Sequence, residues 1–244
     1  MTLWNAIKAS FSGGTAFLFA CPLLAAVPML LQLVQHVAEV QIGMYDSMAM
    51  AKATEFHPLR MGFGVAKIAA LLLTNYWIVR WLARRDPAFA ARIEQPAAGL
   101  FAGAFAFFMA MSMAQLFLLP TDNLWIFAGG FFGGQIVGIL VVAWIAGAAL
   151  GNRELGPLAS IRIMAPALPF TFILFWATML PLMIPHYALG ALALLGPKAL
   201  LWPALIVDSL LVGWLSAVMA ASGYVAAARA TESAGVSLDP APIQ

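Results

Sequence analysis

Charge is what this chain has least of: 9% of its residues are Asp, Glu, Lys or Arg and 64% are hydrophobic, where a soluble domain carries about 25% charged residues. A water-soluble core in a chain of 244 residues cannot hide that much apolar surface, so lipid must cover the remainder. The formal charge of +2 is too small to favour nucleic acid as a partner. A second thiol is also missing. Cys21 is the single cysteine, which excludes an intramolecular disulfide and suits a buried core residue.

Signatures of chemistry are absent as well. There is no Gly-rich phosphate loop, no HExxH or comparable ligand spacing, and no aspartate pair of the kind a lipid head-group transferase uses. Haem ligation needs histidines facing one another within the spans, and the three histidines His36, His57 and His186 are not so placed. Ser222 before Gly223 faintly resembles an intramembrane serine protease, but His186 is expected at the opposite membrane face, out of reach of that hydroxyl. The expectation is a protein that is not an enzyme, with no cofactor and no metal.

What the chain does have is length of apolar run. Residues 99–119, 124–150 and 163–184 each reach the roughly 20 residues that cross a hydrocarbon core. The fold class is therefore all-α, a polytopic α-helical membrane protein with about six transmembrane helices. The expected spans lie near 14–35, 61–83, 97–119, 124–150, 163–184 and 203–228. Residues 1–230 form a single transmembrane helical domain, and 231–244 form a polar, disordered cytoplasmic tail. Residues 2–11 read as an interfacial lead-in to a first span that is retained, not cleaved. Residues 36–60 mix charges with methionines and valines and suggest an outer amphipathic segment. The short run 189–195 is placed as an outer interfacial helix.

Arg80, Arg84, Arg85 and Arg92 form the densest positive cluster, so by the positive-inside rule their connector and both termini are cytoplasmic. The same cluster offers contact with anionic lipid, at about 1 kcal/mol per charge near the surface. The localisation expected is a cell membrane, taken as a bacterial inner membrane. Residues 120–123, with Asp122, fall outside in this topology, as do the three histidines.

Two charges stand inside apolar runs. Counted at about 1.5 Å per residue from the outer span ends, Lys67 and Asp208 share a depth. A lone intramembrane charge costs about 2.5 to 3.5 kcal/mol on insertion scales, so an ion pair between them is the expected arrangement. Gln115 and Gln135 lie inside the third and fourth spans and are candidate lining of a polar cavity. Small residues around Asp208, including Gly213, Ala217, Ala220 and Gly223, predict close helix packing.

Function is legible only as a choice. The first reading is a non-enzymatic membrane scaffold or lipid-organising envelope component, partnered by membrane lipids and by another membrane protein or a second copy of itself. The alternative is a permease-like transporter of a small or amphipathic solute that uses Lys67 and Asp208. A carrier should show a polar cavity reaching Lys67, Asp208, Gln115 or Gln135. A scaffold should show those groups sealed.

Overall fold

A computed structural model describes residues 1–119 and 123–240. Within them the protein is all-α, with no strand, and the last helix forms its axis. The helices are α1 (Leu3–Ala20), α2 (Pro22–Gln41), α3 (Met48–Ala53), α4 (Pro58–Arg84), α5 (Pro87–Ala91), α6 (Ala97–Leu118), α7 (Leu124–Leu140), α8 (Val142–Leu150), α9 (Pro157–Met164), α10 (Leu168–Leu195) and α11 (Leu201–Ser233), with a 3-10 turn at Lys198–Leu200. Five helices are long and apolar enough to cross a membrane: α2, α4, α6, α10 and the turn with α11; α7 and α8, bent by 42° at their junction, make a sixth if the pair is one span.

The first span differs from its expected bounds of 14–35. Cys21 leaves helical geometry, with φ −130° and ψ 56°, and Pro22 opens a new helix at its first position, where a missing N–H costs nothing. The lead-in at 2–11 is thereby part of a full helix. Thr2 caps it by accepting from the Asn5 N–H. α1 then lies antiparallel along α11: Trp214 Nε1 donates to Thr15 Oγ1 at 2.9 Å, and Ala6 joins a cluster with Ala226, Ala227 and Ala230. The approach is close because Gly14 has no side chain; a Cβ there would meet the Val218 backbone at 2.8 Å.

Four further expectations are corrected. Residues 36–41 belong to α2, so the outer amphipathic segment shrinks to a turn and the six-residue α3. The run 189–195 is no separate interfacial helix but the end of α10, which extends through Pro181 and Pro185 for 28 residues. The span expected at 163–184 starts later than that, because α9 ends at Met164. The tail is the fourth: α11 runs on to Ser233, and 234–240 is anchored. Asn152 Nδ2 donates to the carbonyls of Ser237, Leu238 and Asp239 at 3.0 to 3.3 Å, and Leu238 is buried. Residues 241–244, like 120–122 with Asp122, lie outside the described residues.

α11 is central because it is built for close contact. Ala217, Ala221 and Ala227 are fully buried along it, and its most apolar window is 61% buried against 17 to 39% in the other four single spans. α1, α2, α4, α8 and α10 all pack against it. Small side chains let backbones meet where lipid tails supply no hydrophobic drive of their own.

At the other end of α4, Arg80 is fully buried. Its Nε donates to the Phe89 carbonyl at 3.0 Å, Nη1 to the Ala149 carbonyl at 3.2 Å and Nη2 to Glu94 Oε1 at 2.7 Å. The guanidinium also stacks 3.9 Å from the centroid of the Phe89 ring. A guanidinium with its fork so occupied is a staple between helices.

Candidate functional site

Near one end of the bundle, α2, α4, α10 and α11 enclose a cavity of about 320 Å³. α2 supplies Gln32, Gln35, His36 and Glu39, whose spacing of three and four residues sets them on one face of the helix. α4 brings Arg60 and Lys67, α10 brings His186, and α11 brings Asp208. Tyr45 closes the wall from the turn after α2.

The polar groups form one continuous chain. Glu39 Oε1 accepts from Gln35 Nε2 at 3.0 Å and Arg60 Nε at 3.1 Å. Its Oε2 accepts from the Tyr45 hydroxyl at 2.7 Å and faces His36 Nδ1 at 2.9 Å. His36 Nε2 lies 2.9 Å from Asp208 Oδ2, which also accepts from Gln32 Nε2 at 3.0 Å. Asp208 Oδ1 meets His186 Nδ1 at 2.5 Å. The line Glu39, His36, Asp208, His186 thus alternates carboxylate and imidazole. A proton between any neighbouring pair has a place on either partner, which is the arrangement intramembrane proton relays use. Burial and the Glu39 charge push the Tyr45 hydroxyl up, so it stays a donor.

The expected ion pair between Lys67 and Asp208 is not formed. Both line this cavity, yet Asp208 is engaged by two imidazoles and an amide, and among the described residues Lys67 has no hydrogen bond and no ion pair. The reason lies in α2. Its last two turns were expected outside the hydrocarbon, but they stand beside α11 and put His36 on the carboxylate first.

A second cavity of about 380 Å³ begins one turn further along the same three helices. Lys67 gives way to Leu71 on α4, His186 to Met183 on α10 and Asp208 to Val212 on α11, a step of about 5 to 6 Å. The wall is mainly apolar, with Leu72, Phe108, Met111, Phe175 and Met179, and polar groups are spaced along it: Asn75, Ser112, Ser216 and both Gln115 and Gln135. The two glutamines therefore share one cavity, contributed by α6 and α7.

The arginine cluster divides. Arg80 is sealed by Glu94 and the two carbonyls and offers nothing to lipid, which corrects its expected role. Arg84 is held by Asp239 through two bonds of 3.2 and 3.0 Å. Arg85 lies exposed over the Trp81 ring at 4.5 Å, and Arg92 is exposed 3.7 Å from Glu94. Ser222, set aside above, has its Oγ 2.8 Å from the Val218 carbonyl and 3.0 Å from Thr178 Oγ1, and both are ordinary helix-packing contacts.

Sequence reasoning misses Gln32, His36, Glu39, Tyr45 and His186 as a group. The available signal was the spacing of Gln32, His36 and Glu39, continuous with an apolar run that starts at Pro22. Groups of three or more His, Cys, Asp or Glu with metal-holding geometry are absent among the described residues. No protein-family model, no curated protein and no solved structure matches this chain.

Proposed function

We propose that this protein is a non-enzymatic, permease-like carrier of a small amphipathic solute. The observation that carries the reading is the pair of cavities, offset by one helical turn along α4, α10 and α11, the first lined by Lys67 and Asp208 and the second by Gln115 and Gln135. A scaffold gains nothing from keeping buried charges beside open space, where each costs free energy. A carrier needs a polar site at depth and an apolar passage leading from it. The cavities weigh in the same way against the scaffold reading, which asks for these groups to be sealed.

The cell setting completes the proposal. Arg84, Arg85 and Arg92 on one side favour an orientation with both termini cytoplasmic, in a cell membrane taken as a bacterial inner membrane. Lipid is the expected partner of the apolar faces, and exposed Arg85 and Arg92 suit anionic head groups.

Alternating access gives a test that needs no knowledge of the solute. In a Cys21→Ala background, single cysteines at Ser112 or Ser216 are treated with a membrane-impermeant thiol reagent from either side. The carrier reading expects labelling from both sides. Labelling from one side alone, or from neither, overturns it.

A further inference from the structure

Among the described residues, Lys67 is the one cation on the wall of the first cavity that makes no hydrogen bond or ion pair. Arg60, its neighbour on α4, is spent on Glu39 and on the Glu55 carbonyl. Both carboxylates facing the cavity are likewise engaged, Glu39 by Gln35, Tyr45 and Arg60 and Asp208 by Gln32 and His186, with His36 between them, which donates to one of the two when its ring is neutral. Their oxygens are therefore poor acceptors for anything else, and the Lys67 ammonium keeps its three donors for a ligand. One turn deeper the surroundings change to Leu71, Leu72, Phe108, Met111, Phe175, Met179 and Met183. A hydrophilic ion has no use for such a wall.

We propose that the solute is an organic anion with an apolar tail: a carboxylate head seated on Lys67, and an alkyl or aryl body lying along the methionine and leucine wall of the second cavity. The inference rests on the carrier reading and names its substrate class. Methionine suits the role because its unbranched, polarisable side chain fits tails of varied shape.

The charge count adds a companion ion. The groups facing Lys67 are Glu39 and His36 on α2, Tyr45 on the following turn, Arg60 on α4, His186 and Tyr187 on α10 and Asp208 on α11. Asp46 and Lys198 face each other at 3.7 Å on the rim and cancel, while Lys52 and Glu55 of the α3 region are exposed. With the carboxylates ionised and both imidazoles neutral, Arg60 and Lys67 balance Glu39 and Asp208. An entering carboxylate then leaves one uncompensated negative charge in a low-dielectric site. Uptake of one proton by the Glu39, His36, Asp208, His186 chain restores neutrality, and the proton comes from bulk water through the half-buried His186. The anion and a proton therefore enter together.

The test is calorimetric binding on the full chain in lipid nanodiscs, with empty nanodiscs subtracted, using decanoate, decylamine and decanol as probes. Decanoate is expected to bind saturably, and decylamine and decanol much more weakly. Lys67→Met should weaken decanoate about tenfold or more, the scale of a charge-assisted bond, and Lys67→Arg should retain most of it. Among the described residues Lys67 makes no hydrogen bond or ion pair that substitution would break, so both variants are expected to fold, which melting of each sample checks. Titration in two buffers of different ionisation enthalpy should show proton uptake with each decanoate bound. Absent decanoate binding, preference for decylamine, or a Lys67→Met variant that binds as well as the parent overturns the substrate class. Binding without proton uptake overturns the coupling. Neither result touches the two-sided thiol labelling, which tests the carrier reading separately.

Discussion

His36 Nε2 lies 2.9 Å from Asp208 Oδ2, and through this contact the second helix is tied to the last where both residues are buried. Asp208 thus holds two histidines from helices far apart in sequence, and the bundle around the first cavity depends on one carboxylate.

Removing that carboxylate should be costly. Asp208→Leu strips His36, His186 and Gln32 of a shared partner, and breaking a buried charged pair typically costs about 3 to 5 kcal/mol. Asp208→Asn, which keeps one acceptor, should lose less. Lys67→Met should be neutral or stabilising, because an unpaired intramembrane cation is removed. Reversible unfolding in mixed micelles orders the three variants; equal losses for Lys67→Met and Asp208→Leu would point back to a direct pair.

Helix packing makes a second, local forecast. Gly14→Val should destabilise strongly, since its Cβ falls on the Val218 backbone. Gly129→Ala meets open space and should gain up to about 1 kcal/mol from helix propensity. Melting temperatures of the two variants, measured in one detergent, should move in opposite directions.

The Arg80 staple carries a pH dependence. Its hydrogen bond holds the Glu94 carboxyl below the ordinary value of 4.5. A carboxyl depressed in the folded state stabilises above its unfolded value and loses that contribution as pH falls through the folded one. Glu94→Gln should therefore melt lower than the parent at neutral pH, with the gap narrowing under acid. A gap that stays constant with pH would separate Glu94 from the staple.

Anchoring of the tail predicts protease behaviour. Asn152→Ala removes three bonds to the 237–239 carbonyls, so cleavage after Arg229 or within 234–240 should accelerate, while cuts in the short connector around Arg92 should not change. Uniform protection in the variant would show that Leu238 alone holds the segment.

How much of this could be read from the chain varies by residue. The spans around α4, α6 and the bulk of α11 are legible because long apolar runs leave no alternative in lipid. The break at Cys21 is not, since Pro22 and Pro28 lie in one apolar run and only the second is accommodated within its helix. Lys67 and Asp208 are legible as intramembrane charges sharing a depth. Their partners are not, because charged residues at 36–60 resemble a surface segment until α2 is seen to carry His36 and Glu39 against α11. Arg80 resembles its neighbours Arg84 and Arg85 in sequence; its burial comes from carbonyls of Phe89 and Ala149, one of them 69 residues away. The tail is polar by composition, and only Asn152 reveals why it is held.

The central claim is that Asp208 works as one unit with His36 and His186. Nitrogen-15 NMR of histidine side chains addresses it directly, because the chain has only three histidines and the third, His57, is exposed at the start of α4. In Asp208→Asn, the ring-nitrogen resonances of His36 and His186 should both move, with those of His57 unchanged. Resonances of His36 and His186 that stay where they are in the parent protein would contradict the account.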